Sequence, residues 1–239
     1  MNEIKNKLFL IFTLIFLSFC NGCNNSSKDG SDKPGERNDS TPTAGTDTPI
    51  QPPVTPPVTG NHPDRFPRCH PNPQRGNLQV ALRAQETDLW CWAACAEMVI
   101  DNLRVNISQC DEANKQFGTR TLNCCNSPTP GDCNKVGWPE FDKYGFANDR
   151  TTDEALTWEE VTKQIDCGKT PFCITWHWDG GGGHMMVLGG YKIENGDSLV
   201  KILDPWPPGS LQWMSYSDYV SGWDHTHWDD FYNVRKKDH

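Results

Sequence analysis

Twelve consecutive residues, Leu89 to Ile100, carry a single charge, that of Glu97. The run Trp90-Cys91-Trp92-Ala93-Ala94-Cys95 and its continuation contain no glycine or proline, and nothing in them alternates with period two. Such a stretch predicts a helix buried on nearly all sides, around which the rest of the domain must be wrapped. Thr87 or Asp88 is placed to cap its start, where the first-turn N–H groups lack partners inside the helix. Cys91 then lies at the positive end of a helix dipole, which favours thiolate over thiol. Six residues upstream, Gln85 brings a side-chain amide able to donate to an oxyanion beside that sulfur. A lone cysteine on an apolar helix is more often a small core residue than a nucleophile, so its partners decide its meaning.

The first 65 of the 239 residues show no pattern of a folded domain. Lys5 and Lys7 precede the apolar run Leu8–Leu17, which is too short to span a bilayer and reads as a secretory signal. The run ends at Cys20-Asn21-Gly22-Cys23 and resembles a bacterial lipoprotein signal covering residues 1–22. Cys23, preceded by the small Gly22, is the expected lipidation site; Cys20 is the alternative, and an ordinary secretory signal is the simpler reading. Each of these exports the protein. Residues 23–65 are rich in Asn, Ser, Thr and Pro, with the pairs Pro52-Pro53 and Pro56-Pro57, and carry no apolar face to offset the entropy of ordering. They read as a semi-extended tether with too little apolar surface to fold over a cleft as a prodomain.

From residue 66 the composition changes: all ten tryptophans and nine of the eleven cysteines lie beyond it. Residues 66–239 suffice for one compact domain with its own core. The chain has 31 acidic against 22 basic residues, a net charge of −9, which argues against nucleic acid as a partner. Nine cysteines is an odd number in an exported chain. Setting Cys91 aside leaves eight, enough for four disulfides, with Cys167–Cys173 the pairing that the short intervening loop suggests. A zinc site from Cys124, Cys125 and Cys133 is the rival, although the adjacent pair departs from the usual Cys-x-x-Cys knuckle.

Asp111–Phe117 predicts a short helix, and the Gly-, Pro- and Cys-rich stretch 118–137 a stapled loop. Another short helix is expected at Trp138–Tyr144, with Pro139 in its first turn. Thr157-Trp158-Glu159-Glu160 is a capping box opening a helix to about Asp166, stopped by Gly168. Strands follow: 171–178, a turn at Asp179–Gly183, 184–191, a turn at Asn195-Gly196-Asp197, and 198–203. His184 therefore opens one strand and Asp204 closes the next, and in an antiparallel pair those ends are neighbours. A histidine oriented by a carboxylate and facing a thiol at a helix start has the nucleophile–base–orienter logic of acyl transfer. His177 is the rival base. His225 and His227, with Asp224 and Asp229, have metal-like spacing but read more simply as surface residues, and the aromatic residues between Trp206 and Trp228 as barrel packing.

Gln85, then Cys91-Trp92-Ala93, then Gly183-His184, then Asp204-Pro205-Trp206 together resemble the papain-like cysteine peptidases. The chain is most similar to the bacterial branch that includes the AvrRpt2-type effectors and the C39-like group, over most of residues 78–206. The resemblance implies an α+β papain-like fold, in which a helical subdomain with the nucleophile helix packs against an antiparallel β-sheet or barrel subdomain across a cleft. It implies Cys91 as nucleophile, His184 as general base and acid, Asp204 as its orienter, Gln85 as oxyanion donor, and Trp206 as a shield over the His–Asp hydrogen bond. Asp204 stands where papain has Asn, and the Cys110…Cys133 region is foreign to papain.

Three function classes are thus in play: a cysteine peptidase, a related amidase or transpeptidase acting on cell-wall peptides, and an inactive binding module. The expected chemistry needs no metal or cofactor. The expected partner is a peptide or protein substrate acted on by a monomer, with the cell-envelope membrane touched by the lipid anchor only.

Overall fold

The computed structural model describes residue 62 and residues 64–237 except position 128. The signal, the lipidation cysteines Cys20 and Cys23 and nearly all of the tether lie outside the described residues. Among the described residues no helix is long and apolar enough to cross a membrane.

In chain order the elements are β1 (Arg75–Asn77), α1 (Cys91–Asn102), α2 (Gln109–Phe117), a 3-10 turn (Phe141–Tyr144), β2 (Phe146–Arg150), α3 (Trp158–Asp166), β3 (Phe172–Trp178), β4 (Gly183–Glu194), β5 (Asp197–Asp204), β6 (Ser210–Ser215), α4 (Tyr216–Val220) and β7 (His225–Lys236). The strands form one antiparallel sheet in the order β2-β7-β3-β4-β5-β6, with β1 paired to β4. The sheet is open, not a barrel. The fold is the mixed helix and antiparallel-sheet class expected from the sequence.

Both faces of the sheet are covered, because alternate residues point to opposite sides of the pleat. Cys173, Met185, Val187 and Leu203 meet α1. Ile174, Met186, Leu188 and Ile202 meet α3 and α4 through Leu156, Val161, Ile165 and Tyr219. Eight of the twelve α1 residues are buried, as its composition requires. The helix begins at Cys91 with Trp90 as N-cap and no side-chain cap. Thr87 and Asp88, expected as caps, lie too far upstream; Thr87 contributes its carbonyl instead, accepting from Trp90 N–H at 3.2 Å.

The capping box at Thr157 and Glu160 is present in both directions, and Ser108 opens α2 with another. Asn195 and Gly196 join β4 to β5 with positive φ at both positions, as a two-residue hairpin turn needs. The expected helix at Trp138 shrinks to the 3-10 turn, which starts two residues after Pro139.

The cysteine framework differs from expectation. Three disulfides are formed, Cys69–Cys167, Cys110–Cys125 and Cys124–Cys133, and the free thiols among the described residues are Cys91, Cys95 and Cys173. Cys167 pairs across 98 residues with Cys69, not with Cys173. Cys173 lies in the middle of the sheet and faces the α1 core, whereas Cys167 caps the C-terminus of α3. The sulfurs of Cys124, Cys125 and Cys133 are all in disulfides, so the zinc rival has no thiolates to use.

His225 and His227 are buried, not on the surface. His225 stacks on Trp176 and bonds Asp224 and the Asp218 carbonyl, while Asp229 holds Arg150. Trp206, Trp213 and Trp223 are exposed, against the packing role expected of them.

Candidate active site

Three elements bring the expected residues together. The N-terminus of α1 carries Cys91, the first residue of β4 after Gly183 is His184, and the last residue of β5 is Asp204. The β4–β5 ladder pairs Val187 with Leu203, so the start of β4 and the end of β5 lie at the same end of the sheet. α1 packs on β3 and β4 through Cys95, Met185 and Val187, which sets its N-terminus at that same end.

His184 Nε2–H donates to Asp204 Oδ1 at 2.7 Å. Cys91, half-buried, lies near enough to the ring to favour its charged form. With Nε2 given to Asp204, Nδ1 is the nitrogen left for the sulfur. Burial opposes the imidazolium most strongly, but the hydrogen bonds to Asp204 and Cys91 and the charges of both outweigh it, raising the pKa of His184 to about 9. The backbone N–H of Trp206 donates to the same Asp204 Oδ1 at 2.8 Å, fixing the carboxylate that fixes the ring. The Trp206 indole stands edge-on to His184, centroids 6.3 Å apart, and is 49% exposed, so it covers the pair only partly.

Gln85 is buried, and its amide is engaged by the turn that precedes α1. Its Nε2 donates to the carbonyls of Thr87 and Asp88, both at 2.9 Å, while its Oε1 has no partner. Both amide hydrogens therefore brace the turn that leads into α1. Its backbone N–H donates to Pro205 O at 2.8 Å, tying that turn to the Asp204 end of β5.

His177 stacks face to face on Trp228 at 3.7 Å, and it is His184, not His177, that meets both Cys91 and Asp204. Cys95 and Cys173 are fully buried, and burial foremost pushes both thiols far above the ordinary range, which leaves them inert beside Cys91.

Several contributors have no motif in the sequence. Buried Gln109 donates to Ala84 O at 2.8 Å and to Glu97 at 3.1 Å, and accepts from Glu86 N–H at 2.8 Å. Asn134 accepts from Thr87 and Leu89. A helix-opening Gln, or an Asn after a cysteine loop, carries no local signal of such roles. A groove of about 560 Å3 runs between Glu86–Asp88 and the stapled loop, lined also by Cys124, Cys125 and Asn134.

A model of the Peptidase_C39 like family matches residues 77–233, a span that includes Gln85, Cys91, His184, Asp204 and Trp206. Among solved structures, the peptidase domain of Streptococcus ComA, a bi-functional ABC transporter involved in a quorum sensing pathway, is similar at 18% identity and a TM-score of 0.41. That match covers 66% of this chain and 100% of that one. No curated protein matches this chain.

Proposed function

The chain belongs to the Peptidase_C39 like family, a group of papain-like cysteine peptidases, and from that premise we propose that it hydrolyses peptide bonds through a Cys91–His184–Asp204 triad. The observation that carries the proposal is an imidazole hydrogen-bonded to a carboxylate at the end of the sheet where α1 begins with a half-buried thiol. With a pKa of about 9, His184 holds its proton at neutral pH. The Cys91 sulfur attacks the substrate carbonyl, and the backbone N–H of Cys91, unpaired at the helix start, faces the developing oxyanion. His184 passes its proton to the departing amine, and the neutral ring then takes a proton from the water that cleaves the thioester. Asp204 keeps the ring in its tautomer and enters no bond with substrate.

Gln85 supplies the second oxyanion donor in this scheme by releasing the Thr87 or Asp88 carbonyl when substrate arrives. No step calls for a metal or cofactor. The peptidase acts as a monomer on peptides or proteins at the cell envelope, exported on the signal of residues 1–22 and held by lipid on Cys23.

The test is digestion of a peptide library by the native chain and by Cys91→Ala. Cleavage that vanishes with Cys91→Ala supports the reading; undiminished cleavage overturns it.

A further inference from the structure

We propose that the disulfide-stapled loop from Cys124 to Lys135 is the support that holds the approach to Cys91, and that Asn134 is its positioning residue. The proposal rests on Cys91 being the nucleophile. The turn Gln85–Trp90 has no helix or strand of its own and must be held from outside. Gln109 of α2 holds it at Glu86, and three consecutive residues of the stapled loop hold the part next to Cys91. Asn134 Oδ1 accepts from Thr87 Oγ1 at 2.9 Å and from Leu89 N–H at 3.1 Å. Cys133 O accepts from the buried Trp90 indole N–H at 2.8 Å, and Lys135 O from that of Trp92 at 3.1 Å. These four bonds bracket Cys91 on both sides along the chain.

Among its described residues the loop has no strand ladder to fix its shape. Cys124–Cys133 closes it, Cys110–Cys125 ties it to α2, and Asn114 Oδ1 accepts from Cys124 N–H at 2.6 Å. The cross-links thus set the position of the acceptor row, and the acceptor row sets the start of α1. Asn134 touches no reacting atom. It acts through Thr87 and Leu89, and a displacement of about 1 Å at the nucleophile is enough to cost roughly a hundredfold in rate.

In both bonds Asn134 serves only as acceptor, which gives a sharp test, because Asn134→Asp keeps the acceptor and Asn134→Ala removes it. We would measure kcat, KM, melting temperature and the rate of Cys91 alkylation by iodoacetamide in the full chain. Asn134→Ala should lower kcat about 10- to 100-fold with KM within about twofold, and slow alkylation about tenfold. Asn134→Asp should stay within about threefold of native in each. The double variant Cys124→Ala/Cys133→Ala should behave like Asn134→Ala. If Asn134→Asp falls as far as Asn134→Ala, or if Asn134→Ala keeps native kcat and alkylation, the proposal is overturned. Should Asn134→Ala fail to fold, Thr87→Val removes one of the two donors, and a native rate there overturns the proposal equally. If Cys91→Ala retains turnover, the reading of Cys91 as nucleophile has failed separately; the alkylation rates, which need no turnover, still decide the role of Asn134.

Discussion

Two of the molecule's histidine–aspartate pairs, His184–Asp204 and His227–Asp230, differ in what lies on the far side of the ring. His184 bonds Asp204 at 2.7 Å and has Cys91 on its other side. His227 lies 3.1 Å from Asp230 Oδ1, off the hydrogen-bond direction, and its other nitrogen meets the Tyr219 carbonyl. In both, burial opposes the charge and the aspartate raises the histidine pKa. Asp230 also accepts from the Tyr219 hydroxyl and the Leu156 N–H, so its pair belongs to a closed network of the core. Charge pairing alone does not make a histidine catalytic. A neighbouring thiol and a path to substrate are needed as well, and of these two pairs the first is the one with a free thiol near it.

Exchanging the two histidines for alanine sharpens this most. His184→Ala should cut turnover at least about a thousandfold and leave the melting temperature nearly unchanged. His227→Ala should do the reverse, lowering stability by roughly 1–3 kcal/mol because the buried ring and its bond to the Tyr219 carbonyl are lost, while the folded fraction keeps native kcat. Denaturant titration beside steady-state kinetics reads both; equal loss of activity in the two variants would break the comparison.

Asp204→Asn comes next, with kcat lower by roughly a hundredfold but more residual activity than His184→Ala. The alkaline limb of kcat/KM should fall near pH 9, where His184 loses the proton it must give to the leaving amine. Because Asp204 helps raise that pKa, the limb should move to lower pH in Asp204→Asn. A limb that stays put would mean that His184 is not the group being titrated.

Much of this was legible beforehand, and the reasons are local. The α1 run, the Thr157–Glu160 capping box and the Asn195-Gly196 turn announce themselves because their determinants lie within a few residues of each other. What stayed hidden depends on distant partners. β7 was missed because Asp229 and Asp230 interrupt its pattern, and their burial makes sense only once Arg150, Tyr219 and the Leu156 N–H are known to meet them. The Cys69–Cys167 bridge was unreadable for the same reason, since sequence spacing holds no record of proximity across 98 residues. The Gln85 spacing was visible in the sequence, yet the direction of its amide was not.

Glu112 is a buried acid outside both pairs. Its side chain is out of contact with water, and burial foremost pushes its pKa up to about 8. The folded state then binds the proton more tightly than the unfolded chain, so stability falls as pH rises from about 4.5 through about 8. Glu112→Gln should flatten that slope and raise the melting temperature at pH 8 by several degrees, about 2–4 °C for each kcal/mol. An unchanged slope would assign the pH dependence elsewhere.

The smallest effect is chemical. Iodoacetamide should label Cys91 in the native protein and reach Cys95 and Cys173 only after unfolding, while a chelator leaves the melting temperature unchanged. Native labelling of Cys95 at the rate of Cys91 would remove the distinction between them.

The Cys69–Cys167 bridge also has a mechanical meaning. Tension on the chain upstream of His62 reaches Cys69 and there divides, because the bridge passes it straight to the end of α3. The ion pairs of Asp64 with Lys163 and of Arg65 with Asp149 take up part of the load before that point. Residues 70–90, which lead to Cys91, lie beyond the cross-link. A pull at the N-terminal end would therefore load α3 ahead of the stretch that positions Cys91.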